Sequence, residues 1–278
     1  MPESATPPRL RLQAFNNLAK TLSCSVYAVR YTATPAQQAA YSAQIDALYG
    51  ARPLLERLRR IAQLIGARIL HATHQDYEPE GASVSLLLAE DLVHSAHPLR
   101  PEALICHLDK SHITAHTYPE SDPGSVINTF RADIEVSSCG QLSPLRALNV
   151  LIGSFNPAAD VLTLDYRVRG FTRDVEGHKQ FIDHPIDSIS QYLAPEIQAR
   201  YRMLDVNLPR ERLFHTRLLR RDFVLERHLI DTDPALLTVE QRTRLAQRLR
   251  REMREIFRGA NPSSHQAGQA RCRSPQAQ

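Results

Sequence analysis

A serine, two histidines and a cysteine lie close enough in the sequence to take part in one reaction. Ser111 stands in the run Lys110-Ser-His112-Ile-Thr-Ala-His116, and Cys139 follows the serine 28 positions later. A serine hydroxyl can attack the carbonyl of the preceding residue and convert the amide to an ester. A base that removes the serine α-proton then expels the amino-terminal fragment, and hydrolysis of the dehydroalanine leaves a pyruvoyl group. These residue types therefore suit a chain that cuts itself and turns a serine into an electrophile.

The two histidines are the candidate bases. His112 and His116 both follow Ser111 within five residues. Strict alternation along a strand puts both imidazoles on the face opposite the Ser111 side chain. A bulge, a turn or a strand end is therefore needed to bring His116 to the Ser111 α-carbon. Either histidine alone is also explained by a structural hydrogen bond.

The cysteine is the candidate acid. Cys139 ends an alternating stretch and shares a side with Asp133 and Glu135. The ordinary pKa of a thiol is about 8.5, so at neutral pH it is mostly protonated and can donate a proton to a carbanion. Cys24 and Cys106 are interpreted as buried, inert thiols.

The elements around these residues are mostly strands. Strands are predicted at Ser23–Arg30, Ala67–Ala72, Ala82–Ala89, Ala103–Leu108, His112–Tyr118, Phe130–Ser138 and Val161–Phe171. Thr34, Pro35 and Gln37 predict a helix start with a capping box, and a second helix is predicted to end at Gly66. Many strands with few helices between them indicate an α+β fold, with a mainly antiparallel or mixed sheet covered on one side by helices.

The last third of the chain, from about Phe181, is predicted to be mostly helical. It closes with an amphipathic helix over Thr238–Arg258, whose apolar stripe is Leu245, Leu249, Met253 and Phe257. Residues 1–8 and 259–278 are polar and rich in small residues, so both are predicted to be disordered. One domain over residues 9–258 remains.

Composition excludes several classes of protein. The net charge is +4, but acidic residues are interspersed among the basic ones, which argues against nucleic-acid binding as the main function. No apolar run is long enough to span a bilayer, and the amino terminus lacks the apolar stretch of a signal peptide. The four cysteines form no C-x-x-C pair, so neither a disulfide framework nor a structural zinc site is predicted. A cytoplasmic protein with reduced thiols is expected.

Five separated segments resemble one family when taken in order. They are Phe15-Asn-Asn-Leu18, Asp76–Val84, His107–Glu120, Phe130–Gly140 and Asp165–Asp174. The chain from about residue 9 to Arg258 resembles the pyruvoyl-dependent S-adenosylmethionine decarboxylases of the longer proteobacterial type. The resemblance implies the fold of that family. It also implies conversion of S-adenosylmethionine to decarboxylated S-adenosylmethionine, the aminopropyl donor for spermidine biosynthesis, and CO₂.

The resemblance also implies a role for each candidate. The chain is expected to cleave between Lys110 and Ser111, and Ser111 to become the covalent pyruvoyl group that forms a Schiff base with the substrate. His116 is expected to be the proton acceptor in processing, and Cys139 the proton donor in decarboxylation. The fragments 1–110 and 111–278 are expected to stay associated as an α/β pair, and such pairs to form an oligomer. The resemblance also implies Mg²⁺ as an activator, but no ligand set in the sequence identifies its site.

Substrate contacts follow from the chemistry of the expected substrate. A sulfonium and an adenine favour carboxylates and aromatic rings, so the candidates are Glu120, Glu78, Tyr77 and Phe15. Asp133 and Glu135 are alternatively explained as partners of nearby arginines, namely Arg167, Arg169 or Arg173.

Three alternative functions remain open from the sequence. A relative with the same self-cleaving serine can decarboxylate another amino acid. Cys139 and His116 can instead be the nucleophile and base of a hydrolase. A non-catalytic relative can keep the fold and bind a partner.

Overall fold

The computed structural model describes residues 17–90, 111–120, 124–139, 142–155, 159–174 and 176–260. The strands in these ranges are β1 Ala19–Tyr31, β2 Ala67–Asp76, β3 Ala82–Glu90, β4 His112–Pro119, β5 Ile127–Cys139, β6 Val161–Arg169, β7 Thr172–Arg173, β8 Lys179–Gln180, β9 Tyr201–Leu208 and β10 Leu213–Arg220. The α-helices are α1 Pro35–Tyr49, α2 Ala51–Ile65, α3 Leu148–Ser154, α4 Pro195–Arg200 and α5 Val239–Arg258. Short 3₁₀ turns connect several of them.

Eight of the strands form one sheet in the order β2-β3-β4-β5-β1-β6-β10-β9, and every neighbouring pair is antiparallel. Strands β7 and β8 form a separate small ribbon. The predicted α+β class with a mainly antiparallel sheet is confirmed. Strand β1 lies between β5 and β6, because its alternating apolar residues fit the middle of a sheet that has one buried face.

The sheet has one core face and one polar face. Helices α1, α2 and α3 pack on the core face, and α2 alone buries Leu54, Leu58 and Ile61 completely. The polar face carries the alternate side chains, which are His112, Thr114 and His116 on β4, Asp133 and Glu135 on β5, and Thr21, Ser23 and Ser25 on β1. Helix α5 covers the polar face at one end of the sheet, where it packs against Val29 and Val161. The residues with reactive side chains therefore lie on the face that α1 and α2 leave free.

The prediction of a mostly helical last third is wrong. Strands β9 and β10 run through it, and the final helix α5 is the part that is confirmed. Strand β10 buries alternate residues, including Phe214, Thr216 and Leu218, which is a strand period. Strand β9 lies at the sheet edge and pairs with β10, and its alternating apolar residues Leu204, Val206 and Leu208 are exposed rather than buried in the core.

The local signals of the first helices are confirmed. Thr34 and Gln37 form the predicted capping box, with the Gln37 amide donating to the Thr34 hydroxyl over 3.3 Å. Gly66 ends α2 at φ +80°, a conformation that favours glycine. The predicted strand Ala103–Leu108, residues 1–8 and residues 261–278 lie outside the described part of the chain. Within that part, no helix combines the length and apolar character needed to cross a membrane.

Candidate active site

Ser111 lies at a bend immediately before β4, so a strand end is present where the alternation pattern required one. Its carbonyl accepts a hydrogen bond from the amide of Leu88 on β3, with a length of 3.1 Å. Its hydroxyl oxygen accepts one from the amide of Cys139 on β5, with a length of 3.2 Å. The residue is buried. Ser111 is thus anchored to both neighbouring strands.

Cys139 is brought to Ser111 by the register of β4 and β5. His112 lies opposite Ser137, so the last residues of β5 run beside Ser111. Cys139 is half-buried at the end of that strand. The Cys24 thiol is buried as predicted, and burial raises its pKa above the ordinary value. Cys106 lies outside the described residues.

A second pair on the polar face was not predicted from the sequence. The Nε2 atom of His112 lies 3.2 Å from Oε1 of Glu135, and Oε2 of Glu135 accepts a hydrogen bond from the Ser23 hydroxyl. The hydrogen bond with His112 lowers the pKa of the Glu135 carboxyl. The alternative explanation of Asp133 as a partner of Arg167, Arg169 or Arg173 does not hold as a hydrogen bond, because the Arg131 side chain donates to that carboxylate over 2.9 Å. The hydrogen-bond partners of Glu135 are His112 and Ser23, and neither is an arginine.

His116 is not brought to Ser111 within one chain. It lies five residues further along β4, opposite Ser83 on β3 and Asp133 on β5. Both pairings of β4 run without a bulge. Five residues of regular strand span about 16 Å, which is beyond the reach of an imidazole.

The candidate substrate residues Tyr77, Glu78 and Glu120 also lie at the far end of β3 and β4. Tyr77 and Glu78 belong to the turn between β2 and β3, where the Tyr77 amide donates to the Gly81 carbonyl over 2.8 Å. Glu120 follows β4, and its carboxylate accepts a hydrogen bond from the Thr129 amide over 3.2 Å. These residues share an end of the sheet with His116, and Ser111 and Cys139 are at the other end. Phe15 and Lys110 lie outside the described residues.

The core face next to Ser111 carries a buried ion pair. Lys20 lies opposite Ser138 on β5, its side chain is fully buried, and its ammonium is bonded to Asp183. Burial is the largest single effect and raises the pKa of the Asp183 carboxyl, but the hydrogen bond and charge of Lys20, together with the charge of His184, outweigh it and lower the pKa. Asp183 is also 2.7 Å from Nδ1 of His184. This ion pair links the segment that follows β8 to the core face at the start of β1.

One group of side chains has the donor types of a metal site. Asp174, Glu176 and His178 bring one ligand atom each within 4.8 Å of one another. Oδ1 of Asp174 accepts hydrogen bonds from the amides of Glu176 and His178, over 3.1 and 2.8 Å. These bonds account for the cluster as an exposed turn, so it does not identify a magnesium site.

The residues around position 111 fit a pyruvoyl group formed from that serine. The backbone of residue 111 is held by Leu88, and its side-chain oxygen faces the Cys139 amide. The protein therefore places a hydrogen-bond donor, the backbone amide of Cys139, at the Ser111 hydroxyl oxygen, which is the atom that reacts in the cleavage.

Comparisons with known proteins agree on one family. A family model described as S-adenosylmethionine decarboxylase matches residues 39–167. The S-adenosylmethionine decarboxylase proenzyme of Halorhodospira halophila is 50% identical over 268 residues, which cover 93% of this chain and 97% of that protein. The proenzymes of Azotobacter vinelandii and Pseudomonas aeruginosa are each 49% identical over 261 residues, 91% of this chain and 98% of theirs.

Solved structures give weaker similarity. The adenosylmethionine decarboxylase of Aquifex aeolicus is 18% identical, with a TM-score of 0.32, and the match covers 61% of this chain and 98% of that one. The Trypanosoma brucei AdoMetDC monomer is 12% identical, with a TM-score of 0.33, over 73% of this chain and 66% of the other. On the identity to the curated relatives across nine-tenths of its length, this chain belongs to the S-adenosylmethionine decarboxylase family.

Proposed function

We propose that the chain is a self-processing decarboxylase that converts S-adenosylmethionine to decarboxylated S-adenosylmethionine and CO₂, using a pyruvoyl group made from Ser111. Membership of the family supports the reaction. The observation that carries the proposal is the hydrogen bond from the Cys139 amide to the Ser111 hydroxyl, because it joins the two residues that the chemistry requires. Spermidine biosynthesis in the cytoplasm, with Mg²⁺ as activator, is the setting we propose for it.

In the cleavage, the Ser111 hydroxyl attacks the carbonyl carbon of Lys110 and the peptide bond becomes an ester. The Cys139 amide stabilises negative charge on the attacking oxygen, since a fixed N–H donor favours the charged form. The Leu88 amide holds the carbonyl of residue 111 on β3. The new terminus therefore stays on the sheet after the cut, and both fragments stay in one core.

In the decarboxylation, a pyruvoyl group supplies an electrophilic carbonyl and an electron sink. The thiol of Cys139, at the end of β5, holds the proton that takes the place of CO₂ on the α-carbon of the substrate. Helices α1 and α2 cover the core face. The substrate therefore approaches from the polar face, on which we place the thiol.

A second copy of the chain completes this site in the proposal. Ser111 and Cys139 lie at one end of β4, and His116 lies at the other. In the proposed dimer, a two-fold axis relates two copies whose polar faces contact each other, with the β4 strands running in opposite directions. This arrangement places His116 of each copy near Ser111 of the other. The edge strand β9 exposes Leu204, Val206 and Leu208, an apolar row that such a contact can bury.

A denaturing gel of the purified protein tests the processing. The 31.4 kDa chain should divide into about 12 kDa for residues 1–110 and about 19 kDa for residues 111–278. Ser111→Ala should remain one band and release no CO₂ from S-adenosylmethionine. Ser85→Ala, which changes an exposed serine on β3, is the matched control and should be cut like the wild type. Turnover of S-adenosylmethionine by Ser111→Ala would overturn the proposal.

Co-expression tests the second copy. A tagged His116→Ala chain should stay uncut when produced alone, because no copy carries the base. The same chain should be cut when produced with Ser111→Ala, which supplies an intact His116. If the tagged chain stays uncut in the mixture, the base does not come from the second copy.

The hydrolase alternative is not favoured by the geometry. Cys139 lies six residues along β5 from Asp133, the residue opposite His116, so the proposed nucleophile and base are about 20 Å apart in one chain. Iodoacetamide-sensitive hydrolysis by an uncut chain would revive it. Release of CO₂ from another amino acid at the rate found with S-adenosylmethionine would instead show that the enzyme accepts more than one substrate.

A further inference from the structure

His112 has one ring nitrogen bound to a carboxylate. Its Nε2 lies 3.2 Å from Oε1 of Glu135, whose other oxygen accepts a hydrogen bond from Ser23. The hydrogen bond with His112 is the main cause that lowers the Glu135 pKa, and the charge of Arg169 adds to it. Glu135 is therefore ionised at neutral pH and can only accept hydrogen bonds. The proton of the neutral imidazole consequently lies on Nε2.

The other ring nitrogen, Nδ1, carries the lone pair. Within the part of the chain that the structure describes, Nδ1 of His112 is buried and no donor contacts it. Two other histidines differ, since Nδ1 of His215 lies 2.7 Å from Asp165 and Nδ1 of His228 lies 2.9 Å from the Val29 carbonyl. A buried acceptor without a donor is unfavourable, so the fold keeps this lone pair at a cost.

The position of His112 indicates what the lone pair serves. The residue follows Ser111 directly, and its side chain lies on the polar face, from which the substrate approaches. The residues opposite it are Leu87 on β3 and Ser137 on β5, and both are uncharged. Cys139 lies two residues beyond Ser137, a diagonal position with Cβ atoms typically about 7–8 Å apart.

We infer that His112 is a further catalytic residue, whose Nδ1 accepts the proton that the amine of S-adenosylmethionine must lose before it reacts at residue 111. The inference rests on the proposed function. An α-amino group has a pKa of about 8, so roughly nine in ten molecules are protonated at pH 7 and lack the electron pair needed for attack. In the transfer the ammonium N–H bond breaks, an Nδ1–H bond forms, and the electron pair stays on the amine nitrogen.

Glu135 is a positioning residue in this scheme. Its carboxylate holds the proton on Nε2, which keeps Nδ1 available, and its charge stabilises the imidazolium after the transfer. Asp133, two residues earlier on the same face, is engaged by Arg131. The buried ammonium of Lys20 lies on the core face and is bonded to Asp183.

The rate at which the substrate amine is captured tests the inference without a measurement of turnover. Cut enzyme is mixed with S-adenosylmethionine and sodium cyanoborohydride, and the mass gain of the larger fragment is followed from pH 6 to pH 9. The measured quantity is the ratio of His112→Gln to wild-type rate. We expect a deficit of about tenfold at pH 7 that disappears by pH 9, where the amine is already free.

His215→Gln is the matched control, since it removes another carboxylate-bound histidine from a strand of the same sheet. It should follow the wild type at every pH. No deficit in His112→Gln, or a deficit independent of pH, would show that His112 is structural and overturn the inference. A wild type that forms no trapped product would overturn the proposed function instead.

His112→Gln could also remain uncut, and a second measurement covers that case. In the uncut Ser111→Ala chain, nitrogen-15 NMR of the neutral His112 ring should find its proton on Nε2. Adding Glu135→Gln should shift the proton towards Nδ1. A proton on Nδ1 in the chain with Glu135 intact would contradict the inference.

Discussion

Replacing Asp183 with asparagine is expected to destabilise the fold through Lys20, whose side chain is fully buried. The substitution keeps the size and one hydrogen-bond acceptor but removes the charge that balances the ammonium. Removing one partner of a buried pair typically costs about 3–5 kcal/mol. Asp183 is 29% exposed, so water offsets part of this, and we expect a loss of about 2–3 kcal/mol in the free energy of unfolding.

The converse substitution should cost less. Lys20→Met removes the ammonium and fills its place with an apolar side chain, while the Asp183 carboxylate keeps its contact with water and with His184. We expect a loss of about 1 kcal/mol, and the double variant should be close to Lys20→Met rather than to the sum.

Urea unfolding of the uncut Ser111→Ala chain measures these differences on one polypeptide. Because the Asp183 pKa is lowered in the fold, the contribution of the pair is complete above the ordinary carboxyl pKa of about 3.9 and is lost as the pH falls through the lower, folded value. The deficit of Asp183→Asn should therefore be full at pH 7. A deficit no larger than that of Lys20→Met would refute the reasoning.

Three further outcomes are expected. Cys139→Ala should still be cut but release CO₂ about 10²–10⁴ times more slowly, and full activity would remove the thiol from the mechanism. Gly170→Ala should cost about 2 kcal/mol or more in urea unfolding, because φ is +77° and an added Cβ would lie 2.1 Å from the Asn17 carbonyl oxygen. Burial lowers the His228 pKa, so its contribution to stability is complete above about pH 6.5 and is lost as the pH falls through the folded value. His228→Gln should flatten the fall in unfolding free energy below pH 6.5, and an unchanged slope would contradict this.

Local signals predicted the first half of the fold well. The capping box of Thr34 and Gln37 and the glycine that ends α2 depend on neighbours within a few residues, so sequence alone contains them. Strand β9 shows the limit. Its apolar residues Leu204, Val206 and Leu208 alternate but are exposed, and the strand is held at the sheet edge by its pairing with β10, a long-range contact that one segment of sequence does not specify.

The site was predictable only in part for a related reason. The resemblance to the family singled out Ser111 and Cys139, and the structure brings them together. The bond between His112 and Glu135 depends on the register of β4 against β5, which a single sequence does not specify. The one available signal was that Glu135 shares a strand face with Cys139.

The mass of the larger fragment tests the central claim most directly. A fragment that begins with a pyruvoyl group is lighter by one ammonia, about 17 Da, than the same residues 111–278 with an amino-terminal serine. We predict that the lighter mass accounts for the active protein. Active protein that is intact at 31.4 kDa, with an ordinary serine at position 111, would contradict the account.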